Sequence, residues 1–412
     1  MVARVRCQRM TQETHTVDEL PEPGSHGGLH NWQLSYIIGF VIVISLMLLD
    51  FLGVHLPESV VPYAELIGGI MLIAGACEAF VLSVEGISHN MQMTDYVSGI
   101  YASLASTIPE LSVLTFLLLS GQYEMAWILA LATIFVNSMV FAIYTLILPK
   151  DKHGEFKLPD AIHWVGSDLL SMGAVISLSV GFSMLLVHVF VETPEGVSFS
   201  QSLDSGELIV FGICLVVVFI AYLYRITKYY GRCDPSSEDP YVACEIKHSV
   251  MSRSKVGIYL LFASIGALLG GEALSSFANF AIDEAGLTFI QAALLLVVFG
   301  GTPEYIIVAS SHRKNEIEIA LSNAFGGIVQ VFFVVFGYTL LASGIIGIWT
   351  SGGLNIIPID LFSVVLLLFA FPTLFILRVM ITDDAKVNAL ESIAMIAVFV
   401  MMLYILLVYG GY

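Results

Sequence analysis

The sequence predicts an all-α integral membrane protein of about eleven transmembrane helices, with one N-terminal helix followed by two inverted-topology five-helix repeats. Three observations predict this fold: an apolar composition, apolar stretches of membrane-spanning length, and a motif repeated in the two halves. Of 412 residues, 57% are hydrophobic and 12% are charged, and the mean hydropathy is +0.88. Soluble domains carry about twice that share of charged residues, so lipid is the expected solvent.

Apolar stretches long enough to cross about 30 Å of hydrocarbon as a helix occur eleven times. They lie near residues 34–54, 62–88, 96–119, 123–148, 165–191, 207–229, 256–282, 287–311, 317–346, 358–380 and 388–409. The predicted organisation is a flexible cytoplasmic tail at 1–30, an extra transmembrane helix at 31–61, a first five-helix repeat at 62–229, a cytoplasmic linker at 230–254 and a second five-helix repeat at 255–412.

The Lys and Arg residues orient the chain, because short cytoplasmic loops are enriched in them. With the N-terminus in the cytoplasm, all 16 basic residues lie on or beside the cytoplasmic side. They are Arg4, Arg6, Arg9, Lys150, Lys152, Lys157, Arg225, Lys228, Arg232, Lys247, Arg253, Lys255, Arg313, Lys314, Arg378 and Lys386. An odd number of spans leaves the C-terminus on the opposite side. The net charge of −18 argues against nucleic acid as a partner.

Two related motifs interrupt apolar spans: "ASTIPEL" at 105–111 and "GGTPEY" at 300–305. Raising residue numbers by 194 places Pro109 on Pro303 and Glu110 on Glu304. The two motifs lie on spans of opposite direction. Inverted repeats with a broken helix at matching positions predict an alternating-access transporter whose site lies between the halves.

The proline and the glutamate of each motif together provide oxygen ligands for a cation. Pro109 and Pro303 lack an N–H and clash with the preceding turn, so each helix is expected to kink or unwind and free carbonyl oxygens. With Glu110 and the hydroxyls of Ser106 and Thr107, these oxygens suit a hard cation such as Ca²⁺ or Na⁺. A proline kink with a structurally satisfied glutamate is the alternative, but duplicated intramembrane acids favour an ion path.

Five other acids are less informative about function. Glu78 and Glu272 occupy matching positions without a helix break, so they either hold helices together or line an access route. Asp50, Glu65 and Glu85 are expected to be interfacial or structural.

The next span of each half supplies neutral oxygens. Asn137 follows Glu110 by 27 residues, and Thr133 lies one turn earlier on the same helical face. Gln330 follows Glu304 by 26 residues. Amides in membrane helices face the protein interior, so Asn137 and Gln330 are candidate neutral ligands, with Asn323 a weaker one; helix-to-helix bonding is the alternative.

These motifs resemble the two alpha repeats of the cation/Ca²⁺ exchanger superfamily, with patterns G-T-S-L-P-E-L and G-N-x-x-G-S-N. The resemblance covers nearly all of residues 62–409. It implies ten core helices in inverted repeats and Glu110 and Glu304 as central Ca²⁺ ligands. It also implies that further ion-binding oxygens of the first repeat come from Ser106, Thr107, Thr133 and Asn137.

The second repeat departs from the family pattern. Gly300 and Gly301 replace a Thr-Ser pair, Gly327 replaces the later Ser, and Val331 replaces a frequent Asp. The site is therefore expected to contain two carboxylates rather than three, which questions a three-sodium stoichiometry. The front helix resembles the eleven-span arrangement of the proton/calcium branch, whose G-N-x-x-E signature is absent.

The sequence thus predicts a secondary transporter, not an enzyme, that exchanges Ca²⁺ for Na⁺ or H⁺ at a two-glutamate site near the bilayer midplane. Its partners are the lipid bilayer, Ca²⁺ and a counter-cation, and no cofactor is expected. An H⁺/Ca²⁺ or Mg²⁺ exchanger of the same fold is the first alternative and a cation channel the second. An intramembrane hydrolase ranks last, since the chain lacks H-E-x-x-H.

Overall fold

The computed structural model describes residues 30–54, 56–57, 60–159, 162–190, 202–231, 251–313, 317–354, 356–359 and 361–409. The predicted tail, apart from His30, and most of the predicted linker at 230–254 lie outside these residues.

Fourteen α-helices make up most of the described structure. They are α1 (Asn31–Phe51), α2 (Val61–Asn90), α3 (Asp95–Ser106), α4 (Ile108–Leu119), α5 (Tyr123–Ile147), α6 (Ser167–Phe190), α7 (Ser205–Tyr230), α8 (Arg253–Asp283), α9 (Phe289–Gly300), α10 (Thr302–Arg313), α11 (Ile317–Gln330), α12 (Gly337–Ser351), α13 (Leu361–Thr382) and α14 (Ala389–Tyr409). A π-helical segment, Ile162–Gly166, precedes α6, and another, Val331–Phe336, joins α11 to α12.

The described helices confirm the predicted membrane class and span count. Ten stretches are long and apolar enough to cross a membrane, and the pair α9 and α10 makes eleven if it counts as one bent span. Helices α3 and α4 together form one such stretch, Val97–Leu119. Each predicted span therefore has a counterpart, and the all-α membrane fold is established.

Both predicted breaks appear as single-residue interruptions. Thr107 separates α3 from α4, and Gly301 separates α9 from α10, with a bend of 42° in the second pair. Backbone hydrogen bonding continues past Gly301, whose N–H donates to the carbonyl of Val297 at 2.8 Å. The helices therefore bend rather than unwind over a longer stretch.

The halves of the chain pack against each other in matching pairs. Helix α2 packs against α8, α4 against α8, α10 against α2, α3 against α11, and α5 against α9. Glycines permit the close crossing of α2 and α8, because small residues let helix backbones approach. A Cβ on Gly270 would lie 2.8 Å from Ile73 Cγ1 and 3.1 Å from the carbonyl oxygen of Gly69.

Two short antiparallel sheets join loops from opposite halves. The first pairs β1 (Glu155–Lys157) with β4 (Lys386–Asn388), and the second pairs β2 (Ser202–Leu203) with β3 (Ile357–Pro358). In the first sheet, Lys386 Nζ lies 2.6 Å from Glu155 Oε2. This hydrogen bond to Glu155 raises the pKa of Lys386.

The extra N-terminal helix α1 lies against both α2 and α8. The hydroxyl of Tyr36 donates to the carbonyl of Phe262 in α8 at 2.8 Å. On the other side, a Cβ on Gly75 in α2 would lie 2.6 Å from Tyr36 Cβ, so the backbone of α2 lies directly against this tyrosine. Helix α1 thus contacts one helix from each half.

Candidate ion-binding site

The two helix interruptions determine where the site glutamates lie. Glu110 is in the first turn of α4, directly after the break at Thr107, and Glu304 is in the first turn of α10, directly after Gly301. Carboxylates are stabilised at helix N-termini, where backbone N–H groups and the helix dipole are positive. Each interruption therefore creates a favourable position for an acid inside an apolar span.

Glu304 is buried among side chains of the first half. Its side chain is 8% exposed, Ser106 Oγ lies 3.3 Å from Oε1, and Asn137 Nδ2 donates to Oε2 at 3.3 Å. Because a carboxylate only accepts hydrogen bonds, the amide group of Asn137 turns its nitrogen towards Glu304. The carboxylate of the second half is thus held by polar groups of α3 and α5.

Glu110 is partly buried and is bonded within its own half. Thr133 in α5 donates to Glu110 Oε1 at 2.9 Å, and its hydroxyl also lies 2.9 Å from the carbonyl oxygen of Leu129. Thr133 and Asn137, which bond Glu110 and Glu304 respectively, are four residues apart in α5 and therefore lie on the same helical face. Of the predicted site residues, the structure thus brings Glu110 and Glu304 together with Ser106, Thr133 and Asn137.

Two other predicted ligands, Thr107 and Gln330, form hydrogen bonds to residues other than the glutamates. The hydroxyl of Thr107 donates to the carbonyl of Leu104 at 2.8 Å. Gln330 accepts from Ser103 Oγ at 3.0 Å and donates to the carbonyl of Ile100 at 3.1 Å. Gln330 thus joins α11 to α3, which matches the helix-bonding alternative for this amide.

Asn323 lies next to the backbone of Glu304. Its Nδ2 is 3.5 Å from the carbonyl oxygen of Glu304, and its buried Oδ1 has no hydrogen-bond partner among the described residues. Gly327 brings the α11 backbone close to the site, since a Cβ there would lie 3.3 Å from Asn137 Nδ2 and 3.4 Å from Glu304 Oε2.

One residue in the cluster is absent from the sequence prediction. Tyr305 donates its hydroxyl to Asn137 Oδ1 at 3.3 Å. The sequence contains a signal for this contact, because Tyr305 directly follows Glu304 and lies four residues after Gly301. Residues four apart lie on the same helical face, and glycine leaves space there for the aromatic ring.

Three of the other predicted acids lie in a cleft. Asp50, Glu65 and Glu272 line an open cleft of about 790 Å³ between α1, α2 and α8, together with Asp283 and Glu284. Within the described ranges, no group of three or more His, Cys, Asp and Glu side chains is arranged to hold a metal ion.

Comparison with known proteins identifies the fold. Residues 256–408 match the sodium/calcium exchanger protein family. No curated protein sequence matches the chain.

Three solved structures share the architecture. The chain superposes on "H+/Ca2+ Exchanger CAX" with a TM-score of 0.65 and 14% identity, covering 92% of each chain. It superposes on YfkE with a TM-score of 0.57 and 16% identity over 90% of this chain and 98% of that one. It superposes on the sodium-calcium exchanger NCX_Mj with a TM-score of 0.53 and 14% identity, covering 84% of this chain and 98% of that one.

The class of the protein is therefore an all-α membrane protein with the fold of cation exchangers. The resemblance to the cation/Ca²⁺ exchanger superfamily is confirmed in sequence over residues 256–408, which match the sodium/calcium exchanger family. The three solved structures share their fold with 84–92% of the chain.

Proposed function

We propose that this protein is a secondary active antiporter that exchanges Ca²⁺ for Na⁺ or H⁺ by alternating access at the site of Glu110 and Glu304. One observation carries the proposal: Glu304 of the second half is bonded to Ser106 and Asn137 of the first half, and Glu110 is bonded to Thr133, one helical turn from Asn137. A cluster of carboxylate, hydroxyl and amide oxygens between two halves suits a hard cation. Two carboxylates balance the charge of one Ca²⁺.

Competition for this site is sufficient for exchange. Ca²⁺ on one side is replaced by two Na⁺ or two H⁺ on the other, and each loaded form passes between the outward-facing and inward-facing states. The empty site passes poorly, because two bare carboxylates would have to enter a closed layer with little water. This accounts for tight coupling without a catalytic residue.

The arrangement of the helices supports two inverted repeats. The first and last residues of α9 and α10 are each numbered 194 higher than the corresponding residues of α3 and α4. Contacts also occur in matching pairs, with α4 on α8 and α10 on α2. The proposed orientation, with the N-terminus in the cytoplasm and the C-terminus outside, agrees with β1–β4 joining two loops that are both assigned to the cytoplasmic side.

We favour sodium as the counter-ion, because Ser106 and Thr133 place hydroxyl oxygens beside the two glutamates. Asn137 carries a further neutral oxygen, which accepts a hydrogen bond from Tyr305 in this structure. Having only two acids favours protons instead. The solved structures include a proton/calcium and a sodium/calcium exchanger, so they are compatible with either ion. A Mg²⁺ exchanger remains the alternative for the transported divalent ion.

The test uses purified protein in liposomes preloaded with Ca²⁺. Release is expected only with an opposing gradient of Na⁺ or H⁺, and each gradient is imposed alone with the membrane voltage clamped. Release driven by sodium supports sodium as the counter-ion. Release driven only by a pH gradient would identify protons as the counter-ion of the antiporter. Release without any counter-ion gradient would identify a channel and overturn the antiporter.

A further inference from the structure

The two halves supply hydroxyl groups to the site unequally. Ser106, directly before the break in the first half, contacts Glu304. The residues directly before and at the break in the second half are Gly300 and Gly301, which have no side chain. The second half therefore lacks a hydroxyl at these positions of its own helix.

Tyr305 occupies the space that this absence creates. A Cβ on Gly301 would lie 2.5 Å from the Tyr305 hydroxyl oxygen and 2.8 Å from Tyr305 Cζ, closer than real Cβ atoms approach. Helical side chains lean back over the preceding turn, so the ring of residue 305 naturally covers residue 301. The observed position of the tyrosine thus requires glycine at 301.

The first half has the opposite arrangement at the corresponding positions. Thr107 carries a side chain, and its hydroxyl bonds to Leu104; Leu111, one turn later, packs against the apolar core. In the second half the hydroxyl lies one turn later, on Tyr305, and the glycine makes room for it. The two halves therefore differ at two positions together: the first has Thr107 and Leu111 where the second has Gly301 and Tyr305. The second difference restores the hydroxyl group that the first removes.

The Tyr305 hydroxyl also meets the requirements of the Asn137 amide. In the described structure the amide nitrogen faces Glu304 and the amide oxygen accepts from Tyr305. A cation bound by the carboxylates repels the N–H group and attracts the amide oxygen, so the amide group must turn over. Its nitrogen then needs an acceptor, and a phenolic hydroxyl both donates and accepts hydrogen bonds.

We propose that Tyr305 is a positioning residue that supports both orientations of the Asn137 amide, with its nitrogen on Glu304 without a cation and its oxygen on the cation when one is bound. This inference rests on the proposed function, in which Asn137 is an ion ligand. Without the hydroxyl, the turned amide leaves a buried N–H group unpaired, which weakens cation binding.

The test is equilibrium Ca²⁺ binding to the purified protein, with transport measured separately in liposomes. Tyr305→Phe is expected to raise the Ca²⁺ concentration for half-saturation about tenfold, the effect of one lost hydrogen bond to a buried group. Asn137→Ala should weaken binding as well. Because Tyr305 acts through Asn137, the double variant should bind about as weakly as Asn137→Ala alone.

Gly301→Ala provides an independent route to the same defect, because it displaces the tyrosine ring. Gly300→Ala is the matched control, since a Cβ at Gly300 meets nothing within 4 Å. We expect Gly301→Ala to weaken Ca²⁺ binding and Gly300→Ala to leave it unchanged. Melting temperatures of all variants distinguish weaker binding from unfolding.

Unchanged half-saturation in Tyr305→Phe, or additive losses in the double variant, would overturn the role of Tyr305. Failure of the proposed function gives a different result. If Tyr305→Phe and Asn137→Ala show coupled losses of binding while the unaltered protein exchanges no ions in liposomes, the positioning role stands and the antiporter does not. Absence of Ca²⁺ binding in the unaltered protein would overturn both.

Discussion

Glu304 and Glu110 have different surroundings although they occupy matching positions. Glu304 is buried and bonded to α3 and α5 of the other half, whereas Glu110 is partly buried and bonded to Thr133 of its own half. The site is therefore asymmetric at the level of single residues. Loss of either carboxylate still has the same electrostatic consequence, because one negative charge is left to balance two positive charges.

The first prediction concerns these charges. Glu110→Gln and Glu304→Gln should each reduce Ca²⁺ uptake in liposomes to background, since the amide keeps the shape of the side chain and removes the charge. Glu85→Gln, at an exposed position of α2, is the control and should retain most of the uptake. Near-normal uptake by either site variant, in protein with an unchanged melting temperature, would contradict the assignment.

The sequence predicted individual site residues where the chemistry was local. A proline followed by a glutamate in an apolar span is visible in one sequence, and so is an amide 27 residues later in the next span. The partners of Gln330 and the position of Tyr305 were not predictable in this way. They depend on how α11 packs on α3 and on which side chain fills the space above Gly301.

At the scale of helices, the site depends on how closely α8 packs against α4. Gly271 in α8 lies directly against the backbone of α4, which carries Glu110. A Cβ there would lie 2.8 Å from Ser112 Cβ and 2.9 Å from both Ser112 C and Val113 N. Backbone atoms cannot move aside as a flexible side chain does, so any residue larger than glycine must displace one helix.

The second prediction follows from this contact. Gly271→Ala should destabilise the protein by about 1–3 kcal/mol through overpacking and should reduce Ca²⁺ uptake by moving Glu110. Gly257→Ala is the control in the same helix, because a Cβ at Gly257 meets nothing within 4 Å. Alanine favours helix over glycine, so the control should be neutral or slightly stabilising. Equal melting temperatures for the two variants would contradict the prediction.

Helices were predictable from sequence because their length is set by the membrane and their apolar character is local. The two sheets were not, since each strand has only two or three residues and pairs with a partner more than 150 residues away. The π-helical segment Val331–Phe336 was also not visible, because its residues read as an ordinary apolar helix.

At the scale of the whole molecule, the sheets determine which loops lie together. β1 and β4 bring the turn before α6 beside the turn before α14, and β2 and β3 do the same for two other loops. The proposed topology assigns the first sheet to the cytoplasmic side and the second to the outer side. The sheets therefore make the orientation testable at two separate places.

The third prediction uses single cysteines in a cysteine-free background. Lys152→Cys and Asp384→Cys, both at exposed positions beside the first sheet, should be protected from an impermeant thiol reagent in intact cells. Leu354→Cys, beside the second sheet, should be labelled, because Leu354 is 61% exposed. The opposite pattern would reverse the orientation. Different labelling of Lys152→Cys and Asp384→Cys would contradict the pairing of β1 with β4.

Helix α1 has a consequence for the energy difference between the two end states. In a molecule built only from two identical inverted repeats, exchanging the conformations of the repeats converts the inward-facing state into the outward-facing one, so the two have equal free energy. Among the described residues, α1 has no counterpart in the second half, yet it is bonded to α8 through Tyr36 and packed on α2 at Gly75. If the protein alternates between two states as proposed, we expect the contacts of α1, together with the sequence differences between the halves, to make their free energies unequal and so to favour one side of the membrane at rest.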